Sequence, residues 1–166
     1  EFVGFGVSRA AAVSAIFPGV GAVSVLVAGF VSDRLGANSR ALLLCAGLAA
    51  TAAALLVLTA LRPATGAALM PVAMIGLVAF CLLGPYSFLP GAFAMDFGGT
   101  RAAAAASGLV DGMGYLGGVL AGWVMARLVV AFGWGGVFVT LAAVSALASL
   151  GSAYLYVLNA RRAVSA

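Results

Sequence analysis

Asp111 and Tyr115 stand four residues apart in the stretch SGLVDGMGYLGGVLAG, residues 107–122. A carboxylate accepts hydrogen bonds and can carry a proton, and a phenol can donate to an anion. At 100° per residue, Asp111, Tyr115, Gly118 and Gly122 fall within about 60° of one another on a helix, so the acid and the phenol share one face. Asp111 is also the one carboxylate well inside an apolar run. A charge at the centre of a membrane helix costs roughly 2.5–3.5 kcal/mol on insertion scales, so this one calls for a partner or a water-filled cavity. A cavity-lining acid and a protonated carboxyl bonding a neighbouring helix both meet that demand. Tyr86, just after Gly84-Pro85, is a third polar candidate.

Elsewhere the chain offers little reactive chemistry. It has no histidine, and no paired carboxylates or nucleophile beside a base, so an enzyme is not expected. Cys45 and Cys81 match no metal or disulfide spacing and read as small core residues. No cofactor or metal site is expected.

The elements that position these residues follow from composition. The chain is 65% hydrophobic and 7% charged, with a mean hydropathy of +1.24. A soluble domain carries about 25% charged residues and could not cover its surface with so few. The solvent is therefore largely lipid. The net charge of +4 comes from eight arginines, scattered singly at the ends of apolar runs except for the pair Arg161–Arg162. Nucleic-acid binders cluster such residues on one face, so no nucleic-acid partner is expected. Arginine at the ends of spans belongs at a membrane interface.

A bilayer core needs about 20 apolar residues per helix. Spans are expected at 10–32, 41–61, 67–95, 102–131 and 135–158, with links at 34–40, 62–66, 96–101 and 132–134. The expected fold is an all-α integral membrane protein of five helices, because lipid-exposed backbone must satisfy its hydrogen bonds within the segment. Short links make consecutive helices antiparallel neighbours. Kinks are expected at Gly84-Pro85 and Pro18-Gly19, where proline removes a backbone donor. Gly108 with Gly112, and Gly114 with Gly118 and Gly122, repeat the four-residue spacing of small residues that brings membrane helices close together. Alternating topology puts Arg34, Arg40, Arg101, Arg161 and Arg162 on one side and Arg9, Arg62 and Arg127 on the other, favouring the first as cytoplasmic. Arg127 points away from Asp111 and is expected to reach the interface instead.

The turn GFVSDRLGANSR, residues 29–40, concentrates polar residues between two apolar runs. Its Gly-x-x-Ser-Asp-Arg-x-Gly-x-x-x-Arg pattern resembles the cytoplasmic loop motif of the major facilitator superfamily, with Gly29, Asp33, Arg34, Gly36 and Arg40 at the matching positions. Ala37-Asn38-Ser39 replaces a denser basic run in that family. GPYSFLPGAFAMDFGG (84–99), SGLVDGMGYLGGVLAG (107–122) and FGWGGVF (132–138) resemble helices 10 to 12 of the organophosphate:phosphate antiporters, which include sugar-phosphate and glycerol-phosphate exchangers. The two resemblances agree in register and make the spans helices 8 to 12, most of one six-helix bundle.

The resemblance implies a carrier working by alternating access in a bacterial inner membrane, with the C-terminus cytoplasmic. Its expected partners are the lipid bilayer, a small organic anion with phosphate, and N-terminal helices of the same carrier. Asp33 would sit near a helix N-terminus of the other half and the loop arginines would tie helix ends together; a plain positively charged anchor is the simpler reading of the loop. Tyr115 would face the cavity and donate to a substrate phosphate. The arginines that grip phosphate in the family lie largely on the first helix of each half, so the main anion ligand is not expected here. Proton coupling through Asp111, or a sensor of sugar phosphate on the same fold, are the alternatives.

Overall fold

A computed structural model describes residues 7–36, 39–61 and 69–164, and the described residues are almost wholly helical. The elements are α1 (Val7–Ser14), α2 (Ile16–Leu35), α3 (Ser39–Ala60), α4 (Leu69–Tyr86), a π-helical turn (Leu89–Phe93) and α5 (Ala94–Val164). Among the described residues, four stretches are long and apolar enough to cross a membrane: Ala11–Leu35, Ser39–Ala60, Leu69–Asp96 and Arg101–Leu158. The last has 58 residues, about 87 Å of helix at 1.5 Å per residue, against a hydrocarbon core of about 30 Å. It is not one rod. Gly133 leaves the helical region at φ 66°, ψ −173°, and Gly99 does so at φ 58°, ψ −174°. Only glycine adopts such positive φ values without strain, so these two residues divide α5 into 94–98, 100–132 and 134–164. Both breaks fall inside links expected from sequence; the link at 62–66 lies outside the described residues.

Proline acts near the expected kinks, but not at them. Pro18 sits in the first turn of α2, and the irregularity lies upstream at Ala15, between α1 and α2. The cause is that the missing N–H of Pro18 falls on the carbonyl four residues back. Likewise α4 runs through Pro85 to Tyr86 and breaks at residues 87–88. Pro90 cannot donate to Tyr86, and the chain passes into wider bonding, with Phe93 N–H reaching Phe88 O at 2.9 Å. Single π turns of this kind recur at functional sites.

The packing order departs from the expected neighbours. α2 and α3 share little contact although one short turn joins them. α2 packs instead on α4, and α3 packs on α4 and most extensively on α5. Ser24 of α2 donates to Phe80 O of α4, Val20 faces Gly76, and Ala28 faces Gly84. These numbers rise together, so α2 and α4 are parallel. Ser149 donates to Cys45 O at 2.9 Å and Ser152 to Ala41 O at 2.8 Å; these numbers run oppositely, so α3 and the last part of α5 are antiparallel. Missing side chains set the approach. A Cβ on Gly47 would lie 2.6 Å from the Pro85 ring, and one on Gly84 would lie 2.7 Å from Ser24 O.

Two apolar clusters hold the bundle. Ala54, Leu55, Leu58, Val78 and Ala142 form one, and Ala41, Leu44, Phe88 and Phe93 form the other. Cys45 and Cys81 are half-buried rather than core residues, and both are free thiols. Cys45 lies at the α3–α5 seam, its sulfur 3.4 Å from Ser149 Oγ. No residue from 101 to 136 is buried.

Candidate functional site

Tyr86, Asp111, Gly114 and Tyr115 line one cavity of about 300 Å³. The three substrate-pathway candidates thus come together, although Tyr86 is 25 residues from Asp111 in sequence. Tyr86 is held at the end of α4 by the turn beyond Pro85. There Ser87 N–H bonds Leu83 O and Gly84 O at 3.2 Å, and its hydroxyl donates to Gly84 O at 2.6 Å. Asp111 and Tyr115 come from one turn of the segment 100–132 and stay exposed, Tyr115 by 78%. Gly114 links the two sides, since a Cβ there would lie 3.0 Å from the Tyr86 hydroxyl.

The cavity therefore offers two phenolic donors and one carboxylate. Among the described residues no hydrogen bond joins the three side chains, and no cation lines the cavity. Arg127, as expected, turns elsewhere: its guanidinium stacks 4.0 Å above the Trp123 ring. Such a set can hold a polar, hydroxyl-bearing solute, with the phenols donating and the carboxylate accepting.

Of the five glycines expected to pack helices, Gly114 alone meets a neighbour. A Cβ on Gly108, Gly112, Gly118 or Gly122 would find nothing within 4 Å. Their face is open because no other described helix lies over it. The close approaches between helices occur at Gly21, Gly47 and Gly84; of these, only Gly84 was singled out from the sequence, and as a kink rather than a contact.

At the α2–α3 turn, Gly36 caps α2 with φ 85°, its N–H bonding Ser32 O at 2.9 Å. Ser39 then starts α3 by donating from both N–H (3.0 Å) and hydroxyl (2.6 Å) to Gly36 O. Gly29 lies within α2 with open space beside it. Asp33 is exposed, and Arg34 stacks 4.4 Å above the Phe30 ring. Arg40 is the engaged member of the motif. Its Nη1 donates to both Asp96 oxygens, at 2.9 and 3.1 Å, and its Nε to Ser32 Oγ at 3.3 Å. One side chain thus ties α2, α3 and the start of α5. Sequence reasoning missed Asp96, which lies at the end of the third apolar stretch, just before the Gly99 break. Ala37 and Asn38, the departure from the family's basic run, lie outside the described residues.

Comparison of the chain with protein-family models, with curated proteins and with solved structures finds no match.

Proposed function

We propose that this chain belongs to a secondary transporter, its helices forming part of a bundle that rocks about a site near mid-membrane. In this reading the break at Gly133 turns the fourth apolar stretch into two crossings. The five spans then correspond to helices 8 to 12 of a major-facilitator bundle in a bacterial inner membrane, with the α2–α3 turn and the C-terminus cytoplasmic. The observation that carries the reading is the cavity of Tyr86, Asp111, Gly114 and Tyr115, a polar group of residues on helices otherwise apolar enough to cross a membrane. Substrate sites at mid-depth beside interrupted helices are the usual design of such carriers. The proposed solute is an organic phosphate exchanged for inorganic phosphate, with Tyr115 donating to it. The cationic ligands would come from helices beyond these residues.

A second reading is favoured by one feature of the cavity: it holds a carboxylate and no cation. That arrangement suits a proton-coupled carrier of an organic solute, with Asp111 exchanging the proton.

Uptake of labelled phosphate and organic phosphates into vesicles carrying the complete gene product tests both readings. Tyr115→Phe removes one hydroxyl, so folding should change by no more than about 0.5–1.5 kcal/mol while solute affinity falls. Asp111→Asn should flatten the pH profile of a proton-coupled carrier and leave that of an exchanger unchanged. If both variants transport with normal affinity and pH profile, the cavity is not on the pathway.

A further inference from the structure

A second concavity, of about 260 Å³, opens where α2 and α3 diverge above α4. Val27 and Val31 of α2, Leu43, Ala46 and Ala50 of α3 and Phe80 of α4 form most of its wall. Ser24 and Cys81 are the polar residues in the lining, and the Ser24 hydroxyl is already committed to Phe80 O. The groove therefore offers nothing to a polar solute. It spans residues 24 to 31 of α2, about 10 Å of helix.

Size and charge decide what fits. A helix is about 10 Å across, as wide as the groove is long. A single alkyl chain is thin enough. At one end of the groove stand two arginines. Counted at 100° per residue, Arg34 lies within about 60° of Val27 and Val31, continuing their stripe one turn outward, and Arg40 precedes Leu43 by one turn. Arg40 is neutralised by Asp96. Arg34 is exposed, stacks on Phe30, and forms no ion pair among the described residues. Asp33, its chain neighbour, is turned about 100° away.

We propose that this groove holds an anionic phospholipid, one acyl chain lying between α2 and α3 and the phosphate group meeting Arg34 at the interface. The proposal requires only that these helices span a membrane and is independent of any transported solute.

Tryptophan quenching by brominated lipids tests it in the full chain, reconstituted in phosphatidylcholine vesicles. Trp123→Phe and Trp134→Phe remove the native indoles, and Phe80→Trp places one reporter in the groove wall. Brominated phosphatidylglycerol and brominated phosphatidylcholine are then compared at equal mole fraction. A basic residue near an anionic surface contributes about 1 kcal/mol, so the phosphatidylglycerol should be preferred about fivefold. Arg34→Gln should bring that preference to about one. Ala46→Phe fills the groove and should lower quenching by both lipids; Ala50→Leu is a milder filling should the first variant not fold, with helicity checked by circular dichroism. Equal quenching by the two lipids would reduce the groove to ordinary boundary contact and overturn the proposal. A preference that survives Arg34→Gln would overturn it as well. Absence of quenching by either lipid would mean that a protein segment fills the groove, with the same consequence.

Discussion

The Arg40–Asp96 pair ties the α2–α3 turn to the start of α5, and its strength decides whether it is a strut or a latch. The Arg40 side chain is 23% exposed and that of Asp96 41%. Both contacts come from a single guanidinium nitrogen rather than from a two-nitrogen fork. Pairs this exposed contribute about 0.2–1 kcal/mol after solvent screening. The bond from Nε to Ser32 at 3.3 Å lies beyond the usual N–H···O range and adds little. The expected coupling is thus at most about 1 kcal/mol, enough to change a two-state population by up to about fivefold. That suits a contact able to open, as the proposed transport reading requires.

The measurement is a double-mutant cycle of Arg40→Gln, Asp96→Asn and the double variant, followed by thermal unfolding in detergent. The cycle cancels the separate loss of the Ser32 bond. Raised salt should shrink the coupling, because exposed charges are screened. Exchanging the charges, Arg40→Asp with Asp96→Arg, should recover part of it. A coupling above about 2 kcal/mol would refute the latch and make the pair a structural strut. A coupling of zero, with both single variants unchanged, would mean that the contact has no energetic role.

Packing at the helix crossings gives three further outcomes, each read by thermal unfolding in detergent. Gly84→Ala should destabilise by about 1–3 kcal/mol, because its Cβ would meet Ser24 O at 2.7 Å and Ala28 Cβ at 3.0 Å. Gly76→Ala meets only Val20 at 4.0 Å and should stabilise by about 0.5–1 kcal/mol through helix propensity. Ser152→Ala should cost about 0.5–1.5 kcal/mol, since the buried hydroxyl bonds α5 to Ala41 O. Gly114→Ala and Gly118→Ala compare a glycine that meets Tyr86 with one that meets nothing. The first displaces the Tyr86 phenol and changes solute affinity in the transport assay, while the second meets nothing and leaves affinity and stability alone.

Apolar runs of span length made the helices legible, and the glycine turns at Gly36, Gly99 and Gly133 fell within the expected links. The face shared by Asp111 and Tyr115 was legible too, because helical spacing alone fixes it. Neighbours were not. Helices apolar on every side carry no stripe to say which side is buried, so the parallel pairing of α2 with α4 left no periodic trace. Glycine spacing marked where a backbone could approach, without marking what would approach it. Gly47 is a close contact because α4 presents Cys81 O and Pro85 to it, and Gly84 because α2 presents Ser24 and Ala28, facts of tertiary geometry. The Arg40–Asp96 tie spans 56 residues and has no local signature.

The segment 100–132 poses the sharpest energetic demand. Its residues from 101 on stay unburied within the chain, and apolar ones such as Leu116, Val119 and Leu120 are suited to lipid or to another helix. Asp111 is not. A carboxylate at mid-helix costs a few kcal/mol unless it meets water, a cation or a donor. The nearby donors are the two phenols, and neither bonds it. Burial against another apolar helix would worsen the cost, since a polar group without a partner loses its hydration. A protonated carboxyl bonding a neighbouring helix would remove the charge, but then the adjacent phenols, the Tyr86 turn and the close approach at Gly114 would have no common reason to converge. A hydrated cavity accounts for all four residues at once. It keeps the carboxylate solvated, leaves the phenols free to donate, and needs a glycine where Tyr86 comes close. For that reason the cavity, rather than the glycine stripe, is the feature on which the transport reading rests.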